Sequence, residues 1–178
     1  MIIFRETKLT GAYVIEPERF EDARGFFARS FSQAEFEAHG LRSQFEEAGI
    51  SLNLRKHTLR GMHWQSPPHA QAKLVRCTRG AIYDVIVDLR SDSPTYKQWL
   101  AQELTAQNRL MLYIPEGFAH GFQTLADETE VYYQMSKAHA RASERGVRWN
   151  DPAFAIDWPA IDGLTMNERD RTFPDFAD

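Results

Sequence analysis

Rhythm restricts this chain more than any single residue does. Short alternations of apolar and polar residues recur along it, at 12–16, 26–31, 73–89, 98–104, 109–114, 122–125 and 130–135, and Gly, Pro, Asn or Asp bounds each one. Many short strands at near-regular spacing predict an all-β fold, a sandwich or small barrel of antiparallel sheets. Within 73–89, Tyr83, Val85, Val87 and Leu89 share one parity and Asp84 and Asp88 the other. The break at Arg79-Gly80 in that run predicts a hairpin. One helix is predicted, opened by a Ser32/Glu35 capping box and closed at Gly40. From Val147 onward the pattern changes to irregular chain held down by Trp149 and Trp158, ending in a polar turn at 167–171 that closes one end of the barrel.

A chain of 178 residues with no repeat and no Gly/Ser linker is expected to form one domain, 1–178. Its single cysteine, Cys77, has no intrachain partner, which suits a reducing, cytoplasmic compartment. Apolar runs are too short for a membrane span, and no secretory leader pattern precedes the first strand. A net charge of -4 with interspersed signs argues against nucleic acid as a partner. It leaves room for a small anionic ligand held by a local Arg/Lys cluster.

Two polar clusters stand out. The first is Thr58-Leu59-Arg60-Gly61-Met62-His63-Trp64-Gln65, followed by Lys73, Asp84 and Asp88. On a strand, Arg60 and His63 have opposite parity, so they share a face only if Gly61 breaks the alternation with a bulge. Taken by itself, His63 reads first as a core histidine with a satisfied hydrogen bond. The second cluster is the turn Pro115-Glu116-Gly117-Phe118-Ala119-His120, a Pro-x-Gly-x-x-His spacing found in cupin barrels, where the histidine often binds metal. Metal-binding cupins pair two histidines one residue apart, whereas this chain has His63-Trp64-Gln65. His63 and His120 with a distant carboxylate remain an alternative metal site. Of Tyr132 and Tyr133, strand alternation turns one inward.

Taken together, these runs resemble the dTDP-4-dehydrorhamnose 3,5-epimerase family, cupins that epimerise nucleotide-linked 4-keto sugars without metal. The resemblance rests on Asp22-Ala23-Arg24-Gly25-Phe26-Phe27, Leu59-Arg60-Gly61-Met62-His63, Lys73-Leu74-Val75-Arg76, Asp84 to Arg90, Ile114 to Phe122 and Trp149-Asn150-Asp151-Pro152. It implies a cupin jelly roll with one or two short peripheral helices and no cofactor or metal. It further implies His63 as the base, Asp170 as the group that orients it, Tyr133 as the acid on the opposite face and Lys73 beside the developing enolate oxygen. An imidazole with a pKa of about 6.5 accepts a proton near neutrality, and a phenol near 10 keeps one to give. The family would assign Arg24, Arg60, His120, Glu144 and Arg169 to the sugar and diphosphate, where guanidinium forks match phosphate oxygens. Members are homodimers with exchanged N-terminal strands, so Arg24 and Arg29 are expected to reach a neighbour's site.

The chain departs from the thymidine-specific pattern at a few positions that contact the nucleotide. Arg29 replaces a glutamate, Glu47 and Gly49 replace a Gln and an Asn, and Ala138-His139 occupies the place of a base-stacking tyrosine. The expected substrate is thus a nucleoside-diphosphate 4-keto sugar, inverted at C3, C5 or both, with GDP or CDP in place of dTDP as the carrier. A metal-dependent cupin isomerase or dioxygenase and a non-catalytic sugar-nucleotide-binding cupin stand as alternatives.

Overall fold

The computed structural model describes residues 1–177. In chain order its elements are β1 (Ile2–Glu6), β2 (Tyr13–Pro17), β3 (Arg19–Asp22), β4 (Gly25–Ala28), α1 (Gln33–Ala38), β5 (Glu47–Asn53), β6 (Leu59–Gln65), β7 (Lys73–Arg79), β8 (Ala81–Asp88), β9 (Trp99–Thr105), β10 (Met111–Ile114), β11 (Phe118–Thr124), β12 (Thr129–Met135), β13 (Glu144–Gly146) and α2 (Glu168–Thr172). Two antiparallel sheets form a jelly roll, one ordered β1-β2-β10-β7-β12-β5 and the other β13-β6-β11-β8-β9, with β3 and β4 as a separate hairpin. This is the antiparallel barrel that the strand spacing predicts and, more closely, the cupin jelly roll that the family resemblance implies.

Three apolar layers hold it together. Between the sheets lie Val75, Cys77, Leu112 and Val131 from one side and Ile82, Ile86, Phe118 and Phe122 from the other. Behind the five-stranded sheet, Val85 and Val87 pack under the tail with Phe154 and Trp158. Strand β8 is therefore covered on both faces, which explains its nearly unbroken apolar sequence. Behind the six-stranded sheet, Phe36 of α1 packs on Ile15 and Met111. The tail is irregular and anchored by its tryptophans as expected, with Trp158 Nε1 donating to the Trp149 carbonyl at 2.8 Å.

Three local expectations are corrected. The residues around Gly80 do not form a hairpin: β7 belongs to the six-stranded sheet and β8 to the five-stranded one, so Gly80 is the corner where the chain changes sheets. Gly80 has φ +76, and a Cβ there would lie 2.4 Å from Thr129 Oγ1, so glycine is required at the corner whichever strand follows. The capping box is not formed. Ser32 makes no side-chain cap, and the Glu35 carboxylate instead accepts the Ile2 N–H at 2.9 Å, tying α1 to the first strand. The polar turn at 167–171 is instead the short helix α2, capped by Asn167 accepting the Asp170 N–H at 2.7 Å. Strands β1, β3 and β13 carry too few alternating apolar residues to be predicted, whereas β5 alternates but in reverse, with Ile50 and Leu52 facing out.

Gly61 positions the site. Opposite β11, His63 faces His120 and Arg60 faces Phe122, so one extra residue of β6 is accommodated between two ladder positions. Gly61 takes φ +132, and a Cβ on it would lie 2.5 Å from the Gly121 Cα. Leu59 and Met62 consequently point into the layer beneath the tail, while Arg60 and His63 share the barrel interior. The bulge required by the sequence argument is present.

Candidate active site

One end of the barrel opens into a cavity of about 470 Å³, within the range of small-molecule sites. Its lining includes His63 and Arg60 from β6, Lys73 from β7, His120 from β11, Tyr133 from β12, Glu47, Gly49 and Ser51 from β5, and His139, Glu144, Arg169 and Asp170. Strand parity explains the contribution of β5: residues 47, 49 and 51 face inward, while Ile50 and Leu52 face out.

Each histidine is backed by its own carboxylate. His63 Nε2 lies 2.8 Å from Asp170 Oδ1, and Asp170 Oδ2 accepts the Gly61 N–H at 3.1 Å. Burial would raise the Asp170 pKa, but the His63 hydrogen bond and charge, the Gly61 N–H and the Arg169 charge outweigh it and hold the carboxyl below its ordinary value. Helix α2 exists to deliver this group, because its Asn167 cap binds the Asp170 amide. The Phe173 ring meets the His63 ring edge to face at 5.6 Å. Phe173 in turn rests against Gly146, where a Cβ would come within 2.2 Å of its Cζ. His120 Nε2 lies 2.8 Å from Asp84 Oδ1, and the second Asp84 oxygen is buried without a hydrogen-bond partner.

The remaining groups surround this pair. Desolvation pulls the Lys73 ammonium down to about 8, partly opposed by the Asp84 and Glu144 carboxylates. Arg60 is aimed by Asn53, whose Oδ1 accepts from its Nε at 2.7 Å. Arg169 and Glu144 pair at 2.8 Å on the rim, and the Glu47 carboxylate accepts the His139 N–H at 3.1 Å. Tyr133 points inward as one of the two tyrosines must, while Tyr132 lies outside with the Arg76 guanidinium 5.2 Å over its ring.

The cavity thus gathers His63, Tyr133, Asp170, Lys73, Glu47, Arg60, His120, His139, Glu144 and Arg169. It does not include Arg24, paired with Asp22 on the exposed hairpin, or Arg29, paired with Glu35 at 3.3 Å. Asp88, grouped with the polar cluster in the sequence, binds Arg90, Ser93 and Thr95 instead and is absent from the cavity lining. Sequence reasoning missed Asn53, Gly146 and Phe173. Asn53 shares the parity of residues 47, 49 and 51, and the alternation of these with Ala48, Ile50 and Leu52 is the signal that could have found it. Among the described residues, no group of three or more His, Cys, Asp and Glu side chains is placed to hold a metal ion, so the two-histidine, one-carboxylate set is not assembled. No described helix is long and apolar enough to cross a membrane.

A jelly-roll barrel that gathers imidazole, phenol, amine and carboxylate side chains around one polar pocket places the chain among cupin-type isomerases. The chain belongs to the dTDP-4-dehydrorhamnose 3,5-epimerase family, epimerases that act on sugar nucleotides: the profile of that description matches residues 6–178. The dTDP-4-dehydrorhamnose 3,5-epimerase of Pseudomonas aeruginosa is 44% identical over 166 residues, covering 93% of this chain and 91% of that one. The crystal structure of the Elizabethkingia anophelis enzyme of that name superposes with a TM-score of 0.96 at 38% identity, covering 98% of this chain and 96% of that one. The Bacillus anthracis enzyme, crystallised with TDP and PPi bound, gives 0.94 at 41% identity and covers 99% of this chain and 100% of that one.

Proposed function

We propose that this cavity inverts one or two carbons beside the C4 ketone of a nucleoside-diphosphate 4-keto sugar. The observation that carries the reading is the convergence of a carboxylate-backed imidazole, a phenol and a half-buried amine on one cavity. With His63 Nε2 bound to Asp170, Nδ1 is the nitrogen left to take the acidic hydrogen next to the ketone. Asp170 fixes that tautomer and stabilises the imidazolium once it forms. Protonated Lys73 stabilises the enolate oxygen, and Tyr133 returns a proton to the opposite face. Arg60, His120, Glu144 and Arg169 hold the sugar and diphosphate. Solvent deuterium uptake next to the ketone, followed by NMR, tests the assignment. The native enzyme exchanges and inverts, and His63→Asn abolishes both. Full exchange by that variant rules out His63 as the base.

For the carrier we propose a base other than thymine. Glu47 and His139 sit together on the cavity rim, two of the positions where the chain departs from the thymidine-specific pattern. A carboxylate there accepts from an exocyclic amine, which guanine and cytosine carry and thymine lacks. Tighter competition by GDP or CDP than by dTDP is the expected result, and a preference for dTDP refutes it.

The proposed assembly is a homodimer with exchanged N-terminal strands. Its support is an exposed apolar hairpin, with Phe20 and Phe27 exposed by 57% and 69%, together with the free edge strand β5, whose Ile50 and Leu52 also face solvent. Exchange would carry Arg24 and Arg29 toward the partner's cavity. The buried single cysteine, its thiol pushed up to about 11 by desolvation, fits the reducing cytoplasm.

A further inference from the structure

The cavity's polar side chains are held in two different ways. His63, His120 and Arg60 are each fixed by a hydrogen bond, to Asp170, Asp84 and Asn53. Tyr133 is not: its hydroxyl has no hydrogen-bond partner among the described residues. Packing therefore decides where the phenol lies. On one side Tyr133 stands beside Val75 of β7, and on the other beside Gly49 of β5, its register partner. Val75 belongs to the fully buried interior cluster and leaves little slack there. On the β5 side the ring lies across bare backbone. A Cβ on Gly49 would come within 3.0 Å of the Tyr133 Cε2, 3.2 Å of Cζ and 3.3 Å of the hydroxyl oxygen. Those distances are a few tenths of an ångström below ordinary contact, so the ring occupies space that any other residue at 49 would claim.

We infer that Gly49 is a positioning residue that sets the reach of the Tyr133 phenol, and with it how often an abstracted proton is replaced from the opposite face. This rests on the acid–base roles proposed above for His63 and Tyr133. The enolate has two fates. His63 can return a solvent-derived deuteron to the face it came from, giving exchange with retention, or Tyr133 can protonate the other face, giving inversion. The ratio of inverted to exchanged-but-retained sugar measures the reach of the phenol independently of the base. Displacing a catalytic group by 1 Å costs up to about 10²-fold, so a shift of a few tenths alters this ratio roughly 3- to 5-fold.

The test is the partition ratio at each exchanging carbon in deuterated water, read by NMR for the native enzyme, Gly49→Ala and Gly49→Ser. Gly49 does not have a positive φ, so both variants are free of backbone strain and the pair guards against one failing to fold. The expected result is a fall of at least threefold in inversion relative to retention. General damage to the fold lowers both products together and leaves the ratio where it was. A native ratio in folded, exchanging variants overturns the inference while leaving the epimerase reading intact. No exchange by the native enzyme with any 4-keto sugar nucleotide overturns that reading and the inference with it.

Discussion

Replacing Asp170 with asparagine preserves its shape while removing one charge and one acceptor. The carboxylate serves two donors at once, His63 Nε2 at 2.8 Å and the Gly61 N–H at 3.1 Å. An amide cannot serve both. With its oxygen toward His63, its NH2 meets the Gly61 N–H head-on in a fully buried site, leaving donors unsatisfied at about 1–3 kcal/mol. With the amide flipped, Gly61 is satisfied and the NH2 faces Nε2, which forces the imidazole proton onto Nδ1, the nitrogen that must receive the substrate's. In the first orientation the imidazolium keeps only a neutral acceptor and in the second it keeps none, so a charged pairing worth about 1.5–3 kcal/mol is weakened or lost. The unsatisfied buried donor is present before and after proton transfer and lowers stability, so only the imidazolium penalty of about 1.5–3 kcal/mol reaches the barrier, a fall of roughly 10- to 10²-fold in kcat at about 1.36 kcal/mol per tenfold. The assay is the initial rate of deuterium uptake at saturating substrate, with circular dichroism melts confirming that the variant folds. An exchange rate within tenfold of native refutes the two-donor argument.

Three further outcomes are expected. In its proposed role Lys73 acts only while protonated, and desolvation lowers its pKa to about 8, so kcat/KM is expected to fall as pH rises through about 8. Lys73→Arg, whose guanidinium stays charged, moves that limb upward; a native profile flat to about pH 10 contradicts the role. Gly61→Ala places a methyl 2.5 Å from the Gly121 Cα at φ +132, for an expected loss on the order of 3 kcal/mol and of exchange activity, checked by denaturant titration. Light scattering gives a dimer mass, and mixing Arg24→Ala with His63→Asn protomers restores activity to two inactive preparations by pairing one intact site. Failure to complement argues against strand exchange.

The parts of the molecule legible in the sequence are those fixed by local chemistry. Strand alternation marked β2, β7, β8, β9, β10 and β12, and parity turned one tyrosine of 132–133 inward. Family motifs put His63, Lys73, Tyr133 and Asp170 on one list, and the fold brings them to one cavity. What stayed hidden depends on distant partners. A glycine turn at 80 looks the same whether the next strand returns to its own sheet or crosses to the other. Glu35 has the right spacing to cap its helix, yet the Ile2 amide, 33 positions away, takes its carboxylate. Strand β5 does alternate, but its apolar residues Ile50 and Leu52 face out and its polar ones face the pocket, the reverse of a core-facing strand. Phe173 offered no local signal, because its task is defined by the space left at Gly146.

The extra residue beside Gly61 has one more consequence. Were β6 to run in step with β11 throughout, Met62 would fill the cavity and the imidazole would turn away beneath the tail aromatics. Reactivity in this barrel is thus a matter of counting: exchanging side chains along an even ribbon cannot create the site, whereas inserting or deleting one backbone unit there switches it on or off.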